Sequence, residues 1–385
     1  MNEEPQIPLH EPYIDDKERE AVLSVLDSGY MKAGGKYEER CSNIIQEVTE
    51  SKYTLLTSSC THSLETASLL LDVKPGDEVI LPSFTFPSTA TAFYNWGADI
   101  KFCEIRRDTL NMDPEHLKEL ITPETKAVIP VHYAGIGCEM DEITSVCAQN
   151  DVAVVEDAAQ AFSAEYKGEP LGSVGDMGCF SFHGTKNYVA GEGGAFVTDD
   201  EDLAERAECI RQKGTNYSKF KRGEVEKYTW VDKGSSYVPS ELQNSVLWVQ
   251  LKKHREINTE RKRVYQYYNR ELADLEDENL IKLPEIPPDR KPNYHIYHIR
   301  VENGGTRDRL ISFLRESGVG TASHYEPLHL SKCGREMGYE KGDLPITEKT
   351  SNTLLRLPIY PGLENQECEK VTRKIKEFYS ESLHQ

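Results

Sequence analysis

The chain has 385 residues and a formal net charge of −20 at pH 7. Nucleic acid and anionic membrane surfaces repel a protein this acidic, which argues against both as partners. Its hydrophobic fraction of 38% and charged fraction of 29% are typical of a soluble globular protein, long enough for one large and one smaller domain. An anionic small-molecule substrate would still need local basic groups or helix N-termini.

The nine cysteines show no CxxC spacing, which indicates neither a zinc site nor a disulfide framework. We therefore expect no metal, and we expect most of the cysteines to be reduced and buried. The N-terminal residues lack an apolar run, and no stretch approaches the roughly 18 continuous apolar residues of a membrane helix. These observations predict a cytoplasmic protein.

Short β-rich runs alternate with helical patterns in the first two thirds of the chain. The runs begin at Tyr53, Glu78, Ile100, Ala127, Val152, Gly178 and Gly194. After the first run, Leu64, Ala67 and Leu71 share one helix face. Continuous apolar strands separated by helices predict an α/β domain whose seven-stranded sheet is mostly parallel and covered on both faces.

Polar residues follow four of these predicted strands. They are Thr57–Ser59, Ser83–Phe86, His132–Tyr133 and Asp157. Ligands of parallel sheets bind beyond the carboxyl ends of the strands. We therefore expect the functional site at this edge of the sheet.

The remainder of the chain predicts a second, smaller α+β domain. A helical stripe from Ser240 to Leu272 predicts one long helix that leads into it. A strand from Tyr294 and a helix from Asp308 follow, and an amphipathic helix ends the chain. We place the large domain at residues 1–250 and the small domain at residues 251–385.

Asp157 and Lys186 are the residues that indicate the chemistry. Asp157 ends an apolar run, and Lys186 lies in a glycine-punctuated loop five residues after Ser181. Pyridoxal phosphate (PLP) chemistry needs a lysine that bonds to the cofactor aldehyde and a carboxylate that keeps the pyridine nitrogen protonated. Asp157 alone could be a helix N-cap, and Lys186 alone could be a surface group. Their combination with Val155–Gln160 (VEDAAQ) favours the PLP interpretation.

The motifs VEDAAQAF, LGSVGDMGCFSFHGTKN and GEGG resemble the DegT/DnrJ/EryC1/StrS family of nucleotide-sugar aminotransferases, which are PLP-dependent transferases of fold type I. The resemblance runs from Ile7 to Leu363. It implies pyridoxal 5'-phosphate as cofactor, and a nucleotide sugar and an amino-acid donor, L-glutamate, as substrates. It also implies a homodimer with sites at the subunit interface.

The family pattern implies individual roles around the cofactor. Lys186 would carry the cofactor and move the proton, and Asp157 and Gln160 would bind the pyridine nitrogen and the phenolic oxygen. Thr61, His62 and Ser181 would bind the phosphate. Phe86 would stack on the cofactor ring; its alternative is a core position. Helix N-capping is the alternative for Thr61, although both roles are compatible.

One position departs from the family pattern. Many relatives supply an asparagine from the partner subunit to the phosphate, and Val238 occupies that position here. We expect Ser235 or Ser236 to substitute for it.

Three segments are candidates for binding the sugar nucleotide. They are the glycine-flexible segment Ser28–Gly35, the segment His324–His329 and the basic run Lys219–Lys227. The alternative is that the lysines of such runs lie on a solvated face and bind no substrate. The candidate substrate residues are Tyr30, Lys32, His324, Tyr325 and His329.

Residues Lys213–Tyr237 resemble the family branch that aminates carbon 4 of dTDP-4-keto-6-deoxy-D-glucose to give dTDP-4-amino-4,6-dideoxy-D-galactose. Amination at carbon 3 or of a UDP-linked sugar is the alternative. The sugar 3-dehydratase branch replaces the lysine by histidine, so Lys186 argues against it. A non-catalytic regulatory or sensory protein is the alternative of another class, and intact Lys186, Asp157 and Gln160 argue against that too.

Overall fold

The computed structural model describes residues 5–382, so the outermost ends of both predicted domains lie outside the described residues. The helices are α1 (Asp16–Ser28), α2 (Lys36–Thr49), α3 (Cys60–Leu70), α4 (Pro87–Tyr94), α5 (Pro114–Leu120), α6 (Met140–Gln149), α7 (Glu201–Arg211), α8 (Tyr217–Lys221), α9 (Glu241–Lys252), α10 (His254–Glu271), α11 (Ala273–Asp277), α12 (Gly304–Glu316), α13 (Lys332–Glu336), α14 (Pro345–Thr353) and α15 (Asn365–Ser382). The strands are β1 (Tyr53–Thr57), β2 (Glu78–Pro82), β3 (Asp99–Cys103), β4 (Thr125–Val128), β5 (Ala153–Asp157), β6 (Glu165–Tyr166), β7 (Glu169–Pro170), β8 (Met177–Ser181), β9 (Gly194–Thr198), β10 (Ile281–Lys282), β11 (Arg290–Lys291), β12 (Tyr297–Val301) and β13 (Leu354–Leu357).

A seven-stranded sheet forms the centre of the first two thirds of the chain, with strand order β1-β9-β8-β5-β4-β2-β3. Its strands run parallel except β9, which is antiparallel to both of its neighbours. The seven strands are those that the apolar runs predict. The prediction of an α/β fold with a mostly parallel sheet is confirmed.

The sheet is buried on both faces because successive side chains of its strands enter different cores. On β2, Ile80 packs in a core with helices α2, α5, α6 and α9, whereas Val79 and Leu81 pack in a core with α3, α4 and α7. Apolar residues are therefore needed at consecutive positions, which explains the continuous apolar runs of the sequence.

The C-terminal third has its own core around an antiparallel sheet of order β10-β12-β13, packed against α10, α12 and α15. Ile7, from the other end of the chain, is buried in this core. The backbone N–H of Ile7 donates to Gly318 at 3.0 Å, and its carbonyl accepts from Gly320 at 2.8 Å. The first described residues thus pack with the last third.

The prediction of one continuous helix from Ser240 to Leu272 is wrong at Lys253. There α9 ends and α10 begins, with backbone angles φ −90° and ψ 2° at the junction. The Lys253 ammonium is buried and forms ion pairs with Asp15 at 2.8 Å and Glu18 at 2.7 Å. The helix break coincides with these ion pairs to the start of α1, which the hydrophobic pattern of the helix does not predict.

None of the described helices is long and apolar enough to cross a membrane. All nine cysteines are free: Cys209 is half-buried, Cys333 is exposed, and the others are buried.

Candidate active site

A cavity of about 530 Å³ opens at the carboxyl ends of the central strands, where the C-terminal third meets the sheet. The ends of β5 and β8 contribute Asp157 and Ser181, and the loop after β8 contributes Lys186. The opposite wall includes Tyr325 and Arg356. The cavity lies where the polar strand ends predict a site.

Lys186 lies in a loop that backbone hydrogen bonds hold closed between β8 and β9. The N–H of Gly184 donates to the Gly191 carbonyl at 2.8 Å, and the N–H of Lys186 donates to His183 at 2.9 Å. Burial lowers the pKa of the Lys186 ammonium, and the positive charge of Arg356 lowers it further. A lysine with a depressed pKa supplies a neutral amine, which is the form that attacks a carbonyl or accepts a proton.

Asp157 is a buried carboxylate held by one hydrogen bond on each oxygen. The Thr89 hydroxyl donates to Oδ2 at 2.7 Å, and the Ala159 N–H donates to Oδ1 at 3.1 Å. Burial raises the pKa of this carboxyl group. Residues 159–163 form turns rather than a helix, so Asp157 is not a helix N-cap in this structure. The remaining lone pairs and the negative charge of this carboxylate favour a ligand that carries positive charge.

The N-terminus of α3 forms another wall of the cavity. The Ser59 hydroxyl accepts from the His62 N–H at 3.2 Å, and the Ser59 carbonyl accepts from the Ser63 N–H at 3.2 Å. The N–H groups of Cys60 and Thr61 open the helix, where no preceding helical turn offers an acceptor. A helix terminus with free N–H groups binds anions.

Gly194 allows β9 to pass close beneath this helix terminus. A Cβ atom at Gly194 would lie 2.5 Å from the carbonyl carbon of Ser59 and 2.6 Å from the nitrogen of Cys60. The hydroxyl-bearing residues Thr61 and Ser181 line the same cavity. Together with the free N–H groups at the start of α3, these two hydroxyls form a cradle of hydrogen-bond donors.

Gln160 has a fixed orientation at the cavity wall. Its Oε1 accepts from the Ala134 N–H at 2.8 Å, and its Nε2 donates to the Tyr325 hydroxyl at 3.0 Å. The ring of Tyr325 stacks on His324 with centroids 4.0 Å apart. Phe86 lines the cavity and is 60% exposed, so it is not a core residue and its ring face is accessible.

Of the predicted substrate residues, His324 and Tyr325 line the cavity and His329 does not. His329 is buried, and its ring bonds to Ser83 at 2.7 Å and to Glu348 at 3.3 Å. It connects the C-terminal third to the end of β2.

Tyr30 and Lys32 are exposed and lie outside the cavity in this single chain. The Tyr30 hydroxyl donates to the Ala33 carbonyl at 3.1 Å, and the Lys32 ammonium lies 5.4 Å from the Tyr30 ring centroid. Ser235 and Ser236 are likewise exposed and outside it.

His62 lies beside the helix terminus rather than in the cavity lining. Its ring bonds to the Ser58 hydroxyl at 2.8 Å and stacks on Tyr237 with centroids 4.4 Å apart. In the basic run, Lys219 pairs with Glu205 at 2.6 Å and Arg222 pairs with Glu208 at 2.9 Å. These two charges are neutralised locally.

Sequence reasoning missed several groups of the cavity. These are His10, His183, Arg261, His295 and Arg356. Arg261 donates to the carbonyls of Tyr294 and His295 at 2.9 and 2.5 Å, which fixes the strand-leading segment before β12. Of these residues, only Arg356 had a signal in the sequence, because it is an arginine inside the apolar run LLRLP of β13.

The model of the DegT/DnrJ/EryC1/StrS aminotransferase family matches residues 12–376. The chain belongs to this family. It is 35% identical over 392 aligned residues to the uncharacterized protein MJ1066 of Methanocaldococcus jannaschii, covering 99% of this chain and 100% of that protein.

Solved aminotransferase structures share the whole fold. The aminotransferase TlmJ from Streptoalloteichus hindustanus is 29% identical with a TM-score of 0.90, covering 98% of this chain and 100% of that one. Spr1654 from Streptococcus pneumoniae, in its PLP-form, is 26% identical with a TM-score of 0.90, covering 97% and 99%. The assignment to the family, to PLP-dependent fold type I and to PLP as cofactor is thereby confirmed.

The cavity of this DegT/DnrJ/EryC1/StrS aminotransferase fits PLP on its own chemistry. The donor cradle at α3 suits a phosphate. Asp157 is a buried carboxylate whose pKa is raised by burial, and a protonated pyridine nitrogen would give it a cationic partner. Lys186 lies in the same cavity with a lowered pKa. The three requirements of the cofactor are therefore met by separate groups.

Proposed function

We propose that this chain is a PLP-dependent sugar aminotransferase that moves an amino group from L-glutamate to carbon 4 of dTDP-4-keto-6-deoxy-D-glucose, giving dTDP-4-amino-4,6-dideoxy-D-galactose. The observation that carries the reaction type is the shared cavity of Lys186, Asp157 and Gln160 in front of the α3 terminus. A regulatory protein without chemistry has no need for a lysine of lowered pKa in the same cavity as a buried carboxylate.

Each group has a defined task in this reaction. When bound, PLP supplies an electron sink for the electron pair of the bond that breaks at the amine-bearing carbon. The α3 N–H groups, Thr61 and Ser181 would hold the phosphate. Asp157 would keep a positive charge on the ring nitrogen. The Lys186 Nζ takes the proton from the α-carbon of glutamate and delivers a proton to carbon 4 of the sugar.

The choice of carbon 4 and of the galacto product depends on the resemblance of Lys213–Tyr237 to that branch of the family. The sugar face that meets Lys186 decides the configuration of the new amine. His324 and Tyr325 are proposed to contact the hexose because they line the cavity. The described contacts of Tyr30 and Lys32 are to their own segment, so a role for them requires a sugar nucleotide that extends beyond the cavity.

We further propose a cytoplasmic homodimer. The extension between α7 and α9 exposes large apolar side chains, with Trp230 78% and Tyr228 55% exposed. Such side chains are covered by a partner in many assemblies. Ser235 and Ser236 lie on the same extension, which suits contact with the partner subunit's cofactor phosphate. Light scattering on the purified protein measures the mass, and a monomer would contradict this part of the proposal.

The deciding experiment incubates the purified enzyme with L-glutamate and a panel of keto sugar nucleotides. We expect amination of dTDP-4-keto-6-deoxy-D-glucose, with product coupling constants that show an axial amine at carbon 4. An equatorial amine would refute the galacto product. Amination at carbon 3, or a preference for UDP-linked sugars, would refute the branch assignment, and no turnover with any keto sugar would refute the function.

A further inference from the structure

A second cavity, of about 710 Å³, lies at the opposite end of strand β12 from the active site. Arg300 and Val301, at the end of β12, line the second cavity, whereas His295 and Ile296, just before the strand begins, line the active-site cavity. The loop between β3 and α5 contributes Arg107 to the second cavity. This cavity therefore lies where the C-terminal third contacts the domain of the seven-stranded sheet.

The two cavities are separated by buried rings. His298 lies between Ile296 and Arg300 on the same face of β12, because side chains alternate along a strand. It is 2% exposed, and its ring centroid lies 5.8 Å from that of Tyr133, which is also buried. A ligand of the second cavity is therefore a different molecule from the substrate that occupies the active site.

The second cavity contains more positive charge than its own carboxylates neutralise. The charged side chains that line it are Arg107, Asp108, Lys282, Glu285, Arg300, Glu302 and Lys349. Asp108 already pairs with Arg106 at 2.6 Å, and Glu285 pairs with Lys282 at 3.2 Å. Among the described residues, no carboxylate forms an ion pair with Arg107, Arg300 or Lys349. In a chain of net charge −20, three such cations around one cavity favour an anionic ligand.

Arg300 is the most buried of these three cations. Its Nη1 donates to the Arg107 carbonyl at 2.7 Å, and its Nε is buried without a hydrogen-bond partner. Burial lowers the pKa of the Arg300 guanidinium, but an arginine retains its charge. A buried cation without a bonded counter-ion is destabilising. An anion that accepts hydrogen bonds from this guanidinium would remove that cost.

The rest of the lining restricts what kind of anion fits. An apolar wall, formed by Leu280, Ile281, Val301 and Ile346, lies beside the cations. Three cations match a phosphate group, which carries about two negative charges at neutral pH, better than they match a single carboxylate. The volume is within the range of roughly 300–1,000 Å³ that small-molecule sites have, and it exceeds what a lone phosphate needs. The chemistry therefore favours a phosphate attached to an apolar, planar group.

We propose that the second cavity binds a nucleotide, with its phosphates at Arg107, Arg300 and Lys349 and its base against the apolar wall. This site is additional to the active site and takes no part in the proposed transamination. Arg107 belongs to the domain of the sheet, whereas Arg300 and Lys349 belong to the C-terminal third. The bound phosphates therefore connect the two parts of the chain whose contact also forms the active-site cavity.

Calorimetry on the PLP-loaded enzyme tests this site, with thymidine diphosphate (dTDP) as the probe. The variants are Arg300→Gln and Lys349→Gln. Lys341→Gln is the matched control, because it removes the same charge from an exposed lysine that lies outside both cavities. Two further titrations divide the probe into its parts: pyrophosphate has no base, and thymidine has no phosphate.

We expect the wild type to show one dTDP binding event that Arg300→Gln weakens about tenfold or more, since the variant loses hydrogen bonds from a charged group. Lys349→Gln, which removes an exposed charge, should weaken the same event about two- to fivefold. Lys341→Gln should leave it unchanged. Pyrophosphate should bind about tenfold more weakly than dTDP, and thymidine should show no binding.

Identical dTDP binding by the wild type and a folded Arg300→Gln protein would overturn the inference, as would an equal loss in Lys341→Gln. Pyrophosphate binding as tightly as dTDP would refute a nucleotide as the ligand. Circular dichroism establishes that Arg300→Gln is folded, and Lys349→Gln carries the test if it is not.

The result does not depend on whether dTDP also enters the active site. If it does, the wild type shows two binding events and Arg300→Gln removes one of them. If it does not, the proposed dTDP-linked substrate is contradicted, and the loss of the single remaining event in Arg300→Gln still supports the second site.

Discussion

Replacing Asp157 by asparagine removes the charge of this side chain and keeps its shape. The amide oxygen can still accept from the Ala159 N–H, which now bonds to Oδ1 at 3.1 Å. The Thr89 hydroxyl bonds both to Asp157 and to Thr85, at 2.7 and 2.9 Å. It can therefore reverse, accept from the new amide and donate to Thr85. We expect Asp157→Asn to fold and to bind PLP through Lys186 and the phosphate cradle.

The loss of charge should instead slow the reaction. A hydrogen bond to a charged group contributes roughly 1.5–3 kcal/mol, and a neutral one about 1 kcal/mol. Losing the difference, about 0.5 to 2 kcal/mol, in the transition state corresponds to a rate reduced on the order of 2- to 30-fold. The neutral amide also cannot keep the ring nitrogen protonated, so this range is a lower bound.

In the cofactor-free protein, the same substitution should not lower stability. Burial raises the pKa of Asp157, so the native state binds this proton more tightly than the unfolded chain does. Its contribution to stability is full below the unfolded pKa and is lost as the pH rises through the raised folded pKa. Asparagine has no such titration. At neutral pH, cofactor-free Asp157→Asn should be as stable as cofactor-free wild type, or more stable.

Two assays check this reasoning. Single-turnover absorbance with glutamate measures the rate, and thermal unfolding of the cofactor-free proteins across pH measures stability. Thr89→Val is the control, because it removes one hydrogen bond from Asp157 and leaves the charge. A rate near that of the wild type in Asp157→Asn would show that the carboxylate does not act on the ring nitrogen.

Other predictions concern the lysine, the cradle and the helix junction. Borohydride reduction of the PLP-loaded enzyme followed by peptide mapping should label Lys186, and Lys186→Ala should fold without transaminating; label on another lysine would contradict the assignment. Gly194→Ala should weaken PLP binding or destabilise the fold because its Cβ meets backbone at 2.5 Å, whereas Gly184→Ala, whose nearest atom is at 3.6 Å, should be mild in PLP titration and thermal unfolding. Lys253→Met should lower the free energy of unfolding by about 3 kcal/mol, since it strands a buried carboxylate. The exposed neighbour Lys252→Met should change the urea midpoint little, and equal effects of the two would refute the burial argument.

The sequence predicted those parts of the molecule that depend on local pattern. Seven apolar runs became the seven strands of the sheet, because residues on both faces must be buried there. Asp157 and Lys186 were identifiable because a strand end and a short loop fix their positions. Their shared cavity follows from adjacent strands β5 and β8 ending at the same edge.

Other parts depend on contacts between distant segments. His324 and His329 are five residues apart, yet a 3₁₀ turn at Leu328–Leu330 directs His329 to Ser83 while His324 stays in the cavity. The helix break at Lys253 follows its ion pairs with α1. The lack of an ion-pair partner for Arg356 depends on all of the described residues that pack around it. No periodicity of the sequence records these facts.

The pairing of Ile7 with Gly318 and Gly320 constrains how the protein can be made. The N-terminal segment leaves the ribosome long before residues 318–320 are synthesised. Ile7 therefore stays exposed to solvent while the sheet forms. Leu9 and His10 lie just beyond it and line the cavity. The C-terminal core and the active-site wall therefore close only after nearly the whole chain has emerged. Contacts of such large sequence separation form slowly, so the site is completed late in folding.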